Sequence, residues 1–286
     1  MLLCLSGQLT AQKNAYERAA ALYNVNPQQA LLAIDSALLE KKMRADGNCW
    51  NLRAGIYYEI FRKTERSMLF SPLRDSVVAS VLSSRKNNCD SACEVRNKKF
   101  LKTIWAGYYN VAKTLLQDSI NYSRSLIAYN KFKEIYLHYD RDATFEAKDV
   151  EYFLAVSAVY IELFKKENNN ADAEIAKTAL EKVLSIQPDN PAANINMGLI
   201  YCTRAENQKK ITANENNAFK KTESSKKMIS LAKEAEQFFL KVYNKDNSNL
   251  RAIENLYHVY LLLEDAPKAA AFKKAGEEKG IKFKEK

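Results

Sequence analysis

The side chains best suited to chemistry in this 286-residue chain are two histidines and five cysteines. A zinc centre needs about four converging Cys, His or carboxylate ligands. With only His138 and His258 available, no Cys/His cluster is evident, and both lie among tyrosines able to satisfy an imidazole: Tyr136-Leu137-His138-Tyr139 and Tyr257-His258-Val259-Tyr260. Cys89-Asp90-Ser91-Ala92-Cys93 is the one suggestive spacing. On a regular helix such residues have Cβ atoms about 5–6 Å apart, against the roughly 3.8 Å of a disulfide, so a Cys89–Cys93 bond requires a turn. Asn87-Asn88 makes one plausible. Cys49 and Cys202 sit in apolar helical stretches and read as buried free thiols. Setting Cys4 aside, the remaining cysteines are even in number, which is consistent with an oxidising compartment. No glycine-rich phosphate loop, G-x-S-x-G elbow or H-E-x-x-H pair occurs, so the expectation is a protein without catalytic residues, metal or cofactor.

Charge points to association instead. Lys plus Arg number 44 against 34 Asp plus Glu, a net +10 that suits an acidic partner, nucleic acid or an anionic membrane surface. Six lysines, at 209, 210, 220, 221, 226 and 227, face only Glu215 and Glu223 in one asparagine- and serine-rich stretch. A polar, solvated insertion at about 205–228 is the reading. The scarcity of arginine and aromatic side chains there disfavours nucleic acid as its partner.

Those residues must be carried by helices. The chain is 47% hydrophobic, enough for a sizeable core, and strand signals are absent. Pro27, Pro72 and Pro191 each stand where a helix could begin, and Pro188 lies in a turn. No apolar run approaches the roughly 20 residues of a membrane span, so the expectation is a soluble mature chain. Residues 1–11 of MLLCLSGQLTAQ read as the tail of a secretory signal with cleavage after Ala11, and imply a periplasmic or secreted protein. A cytoplasmic protein with a frayed start is the alternative.

A glycine returns inside helix-like sequence at Gly55, Gly107 and Gly198, in a chain with only seven glycines. A helical glycine costs roughly 1 kcal/mol relative to alanine, so a close approach of neighbouring helices is expected at each. A second pattern follows: Ala128, Phe132, Ile135, Asp140; then Ala176, Leu180, Val183, Pro188; then Ala235, Phe239, Val242, Asn247. Small, large and medium residues at helical spacing, closed by a turn-former, describe one helix packing a small face on its neighbour and ending.

These residues resemble the tetratricopeptide repeat (TPR), W-x2-L-G-x2-Y then A-x3-F with a closing proline, most clearly over residues 176–201. Asn194 stands in place of the tryptophan; Ser157 and Tyr257 stand in place of the glycine in two further copies. Successive intervals of 52, 50, 41 and 59 residues exceed the family's period of about 34, so lengthened helices or insertions must be housed within 62–93, 165–172 and 209–227. The resemblance implies an all-α protein: residues 12–286 as a single repeat domain, a right-handed α-solenoid of about five TPR-like hairpins ending with a helix in 267–283.

It further implies a non-catalytic interaction scaffold. In the family the first helix of each pair lines a concave surface, which here places Arg53, Trp105, Tyr108, Asn196, Arg251, Asn255 and His258 toward a peptide or partner protein. Asn196 and Arg251 match two elements of the clamp by which some members bind chaperone tails. Leu154 and Ala158 stand where its first lysine and asparagine belong, so that specificity does not carry over. Two other readings stay open: an envelope glycan-binding or assembly lipoprotein on similar repeats, and a basic nucleic-acid-associated adaptor using the lysines of 209–227.

Overall fold

The computed structural model describes residues 15–117 and 121–283, and all regular structure among them is helical. The signal-like segment 1–11 and its cleavage point lie outside the described residues. The helices form two compact units, the first running to Ala143 and the second beginning at Thr144.

In the first unit, helical residues 15–22 (α1) are followed by α2 (Pro27–Ala37), the short α3 (Lys41–Arg44), α4 (Gly47–Thr64), α5 (Pro72–Lys86), α6 (Ser91–Gln117) and α7 (Tyr122–Tyr139). The second contains α8 (Glu146–Glu167), α9 (Asn170–Ile186), α10 (Pro191–Asn214), α11 (Ala218–Lys245), α12 (Leu250–Leu262) and α13 (Ala266–Glu278). Short connections force successive long helices to fold back on each other. The resulting pairs are α1/α2, α4/α5 and α6/α7, then α8/α9, α10/α11 and α12/α13. The five pairs from α4 onward are those counted from the glycine positions; α1/α2 precedes them. Within a unit each new first helix rests on both helices of the pair before it, as α6 does on α4 and α5, α10 on α8 and α9, and α12 on α10 and α11.

Local chemistry explains the punctuation. Asn26, Asn121, Asn169, Asn190, Asn217 and Asn249 each sit before a helix and accept a hydrogen bond from a backbone N–H of its first turn. Such a cap satisfies one donor that the helix leaves unpaired. Pro27, Pro72 and Pro191 occupy first turns as the sequence predicts. Asn168, in the left-handed conformation at φ 55°, ends α8 so abruptly that α9 begins two residues later. The stretch 209–227 is not a loop: it completes α10 and opens α11, leaving only 215–217 between them. Extra length is housed as extra helix.

The small-large-medium pattern is the core. Ala128, Phe132 and Ile135, Ala176, Leu180 and Val183, and Ala235, Phe239 and Val242 are all buried. Gly198 lies where a Cβ would fall 2.4 Å from Phe239 Cε1, so only glycine lets α10 meet α11 there. Gly107 corrects the sequence expectation. Its nearest foreign atom would be Arg74 Cζ at 3.8 Å, an ordinary contact that requires no glycine.

Burial also sets a pH limit on the fold. The Cys49 thiol is fully buried and unpaired, and burial, then the nearby Asp46 carboxylate, pushes it up to about 12. Burial, then Asp75, likewise pushes Tyr108 up to about 12. Both values lie above those of an unfolded chain, so the folded protein holds these protons longer. The associated stability is complete below about pH 8.5 and is lost as pH rises toward 12. Melting temperature is therefore expected to fall progressively from pH 8 to 11, and Tyr108→Phe should flatten the upper part of that decline; a parallel pH profile in the variant would show that Tyr108 does not contribute.

Candidate functional site

Two of the residues expected to meet a ligand in the first unit are held by neighbouring polar groups, and the third is enclosed in aromatic packing. Arg53 Nε donates to Asp35 Oδ1 at 2.7 Å, Nη1 to Ser80 Oγ at 3.0 Å and Nη2 to Tyr57 OH at 3.0 Å. Its guanidinium also lies over the Tyr57 ring at 4.7 Å. A planar fork satisfied in three directions ties α4 to α2 and α5. Trp105 is half-buried with its ring edge-on to Tyr136 at 4.9 Å and tilted against Phe132 at 5.8 Å. Its indole nitrogen is buried and has no hydrogen-bond acceptor among the described residues. Tyr108 is 2% exposed, donates to Asp75 Oδ1 at 3.5 Å and lies under the Arg74 guanidinium at 5.1 Å. These side chains hold three helix pairs together.

Cys89 and Cys93 are joined by a disulfide. Cys89 stands just before α6, beside Asn88 at φ 53°, so the bond is made across a turn and not along a helix. Asp90 Oδ1 accepts from Cys93 N at 2.7 Å, capping α6 at the same place. Next to it is a buried polar network that the sequence reading missed. Asn97 Oδ1 accepts from Asn51 Nδ2 at 2.8 Å, Asn97 Nδ2 donates to Ser84 Oγ at 3.0 Å, and Asn51 Oδ1 accepts from Arg96 Nε at 2.8 Å. Periodicity could have flagged Asn51 and Asn97, since each falls on the apolar face of its helix.

The second unit presents the other four residues differently. On α12, Arg251, Asn255 and His258 recur at intervals of four and three and so share one face. Arg251 is exposed; Asn255 and His258 are half-buried, with His258 beside the Tyr257 ring at 5.2 Å. Asn255 Nδ2 donates to Arg251 O at 2.7 Å within its own helix, leaving its side-chain carbonyl for another donor. On α10, Asn196 is half-buried and makes no side-chain hydrogen bond among the described residues. Asn196 and Asn255 occupy the same repeat position, each two residues before the glycine-type site, on adjacent first helices. Asn194, in the motif's tryptophan position, serves the fold instead: it is 1% exposed and donates to Pro188 O at 3.1 Å and Asn190 O at 2.9 Å, fastening the turn ahead of α10.

Among solved structures, the chain is similar to the C-terminal part of a TPR repeat-containing protein from Cytophaga hutchinsonii, at 15% identity over 93% of this chain and 95% of that one, with a TM-score of 0.26. It is also similar to the TPR domain of P58(IPK), at 13% identity over 95% of this chain and 94% of that one, with a TM-score of 0.22. No family model and no curated protein matches the chain. The fold itself is a series of helix pairs with buried small-large-medium positions, in which, within each unit, a new first helix rests on the pair before it.

No group of three or more His, Cys, Asp or Glu able to hold a metal ion occurs among the described residues. His138 is half-buried, and its backbone carbonyl accepts from Arg85 Nη1, while Arg85 also pairs with Glu94 at 2.6 Å. No described helix is long and apolar enough to cross a membrane.

Proposed function

We propose that this protein is a non-catalytic interaction scaffold that binds an extended peptide segment of a partner protein across α10 and α12 of the second unit. The observation that carries this reading is the recurrence of asparagine at one repeat position on adjacent first helices, Asn196 and Asn255, with amide capacity left over at both. A side-chain amide donates and accepts at once, so a row of them matches the alternating N–H and C=O groups of an extended backbone. Arg251, exposed on the same face of α12, adds a planar cation for a carboxylate of the segment. Arg53, Trp105 and Tyr108 support the first unit and are left out of the binding surface.

The test is selection of peptides from a random library by the full chain, followed by fluorescence anisotropy with the enriched sequences. Replacing both Asn196 and Asn255 with alanine is expected to weaken binding by more than tenfold while leaving the melting temperature within about 2 °C, because neither side chain is fully buried. Equal binding by the double variant would move the peptide to another surface.

A further inference from the structure

Beyond the scaffold reading, the second unit carries a helical prong that its packing does not use. Asn207 Nδ2 donates to Asn168 Oδ1 at the end of α8, and Arg204 pairs with Glu174 of α9 at 2.5 Å. Past this point α10 continues to Asn214, roughly 10 Å at 1.5 Å per residue. On the other side, Tyr260 donates to Glu236 Oε1 at 2.7 Å and Lys268 lies 3.7 Å from the same carboxylate, which places the α12–α13 turn beside residue 236. From Ala218 to Glu236, α11 covers roughly 27 Å. The start of α11, with the end of α10, extends past these contacts.

The prong is built to stay closed. Ser224 and Met228 of α11 are buried against α10, Gln208 Nε2 donates to Ser224 Oγ at 2.5 Å, and Thr212 Oγ1 lies 2.7 Å from the same hydroxyl. At the tip, Asn217 caps α11 through Lys220 N at 3.1 Å, and Glu215 accepts from Asn217 N at 2.8 Å. Against this order, Phe219 is 71% exposed and Ile211 55% exposed, at the same end. Lys209, Lys210, Lys220, Lys221, Lys226 and Lys227 are all exposed around them. Further along α11, Lys245 pairs with Asp189 at 2.6 Å and Lys241 with the same group at 3.4 Å. None of the six forms an ion pair among the described residues.

We propose that this prong docks on an anionic lipid bilayer, with Phe219 and Ile211 entering the headgroup region and the six lysines facing the negative headgroups. An exposed phenylalanine and isoleucine on lysine-rich helix ends have the composition of an interfacial contact, in which apolar burial and surface potential act together. Nucleic acid fits less well. The prong has no arginine to grip phosphate in two places, and a single aromatic gives no platform for successive bases.

The experiment is sedimentation of the full chain with vesicles of phosphatidylcholine alone, or with 30% phosphatidylglycerol, in about 50 mM and about 500 mM salt. Binding is expected only to the anionic vesicles and only at the lower salt, since exposed charges are screened beyond a few ångströms at the higher. Each lysine is worth about fivefold near such a surface, so replacing all six with glutamine should weaken binding by at least a hundredfold. Phe219→Ser should weaken it about tenfold while keeping the salt dependence. All seven side chains are exposed, and unchanged thermal melts would confirm that the variants fold. Failure of the wild type to bind anionic vesicles at low salt, or full binding by either variant, would overturn the proposal. So would tighter binding to a single-stranded oligonucleotide that ignores Phe219→Ser, which would assign the lysines to nucleic acid. The peptide-binding variant, Asn196→Ala with Asn255→Ala, is expected to bind vesicles normally, which separates this outcome from that of the scaffold reading.

Discussion

Replacing Gly198 with alanine is expected to lower the melting temperature, by up to about 8 °C, whereas the same change at Gly107 should leave it unchanged or raise it slightly. At Gly198 the added methyl would fall 2.4 Å from Phe239 Cε1 and 2.7 Å from Cζ. Phe239 is fully buried in the core of the second unit, so its ring has nowhere to go without displacing neighbours. Overpacking of this kind costs typically about 1–3 kcal/mol, whose upper range outweighs the roughly 1 kcal/mol that alanine gains as a helix former and leaves a net loss of up to about 2 kcal/mol. At Gly107 the nearest group is the Arg74 guanidinium at 3.8 Å, and the helix-propensity gain is unopposed. Differential scanning calorimetry on the two variants decides the matter. A second comparison isolates the contact: Phe239→Leu should recover part of the loss in the Gly198→Ala background, because a smaller side chain makes room for the methyl. Equal shifts at the two glycines would show that the close approach of α10 to α11 is not what selects glycine.

Asn97→Leu is expected to destabilise the first unit by about 3 kcal/mol despite adding apolar surface. Asn97 is fully buried and serves Asn51 and Ser84 at once, so leucine would strand the Asn51 amide and remove a donor to the Ser84 hydroxyl. Each stranded buried group costs about 1–3 kcal/mol, and such networks lose more than the sum of their parts. Ser84 keeps its own bond to Gly47 O at 2.7 Å, which limits the loss at that end. Urea unfolding of the wild type and variant gives the difference. Asn97→Asp keeps the acceptor for Asn51; while protonated its O–H can still donate to Ser84 Oγ and the variant should fall between them, whereas on ionising it loses that donor, buries a charge and should fall further below. A wild-type midpoint in Asn97→Leu would mean that α4 and α6 are held by their apolar contacts alone.

Much of this architecture is legible in the chain. The Ala128, Ala176 and Ala235 series names helix faces that the structure buries, because a residue's periodicity and size are properties of one helix and its immediate neighbour. Asn190-Pro191 marks a helix start for the same local reason. The stretch 209–227 was legible only as polar. Lysine and glutamate are good helix formers, so composition cannot separate a solvated loop from helices that outrun their neighbours. The asparagine network escaped because each amide, read alone, is a poor core residue; it becomes acceptable only when a partner 46 residues away completes it.

The candidate surface divides along the same line. Its seven positions follow from repeat register, and register placed Arg251, Asn255 and His258 on one helical face without help. Whether a side chain in that register is available to a ligand depends on what the adjacent pair offers it. Asp35 and Ser80 occupy the Arg53 guanidinium, and Phe132 and Tyr136 enclose Trp105. No comparable partner holds the Asn196 amide among the described residues. Helix type, the proline-marked helix starts, repeat phase and most packing faces could be read from the chain alone, because neighbours within a few residues set them. Which glycine is obligatory, which cations are paired and which polar groups remain for a partner were decided by tertiary structure, because each depends on an atom brought from a distant part of the chain.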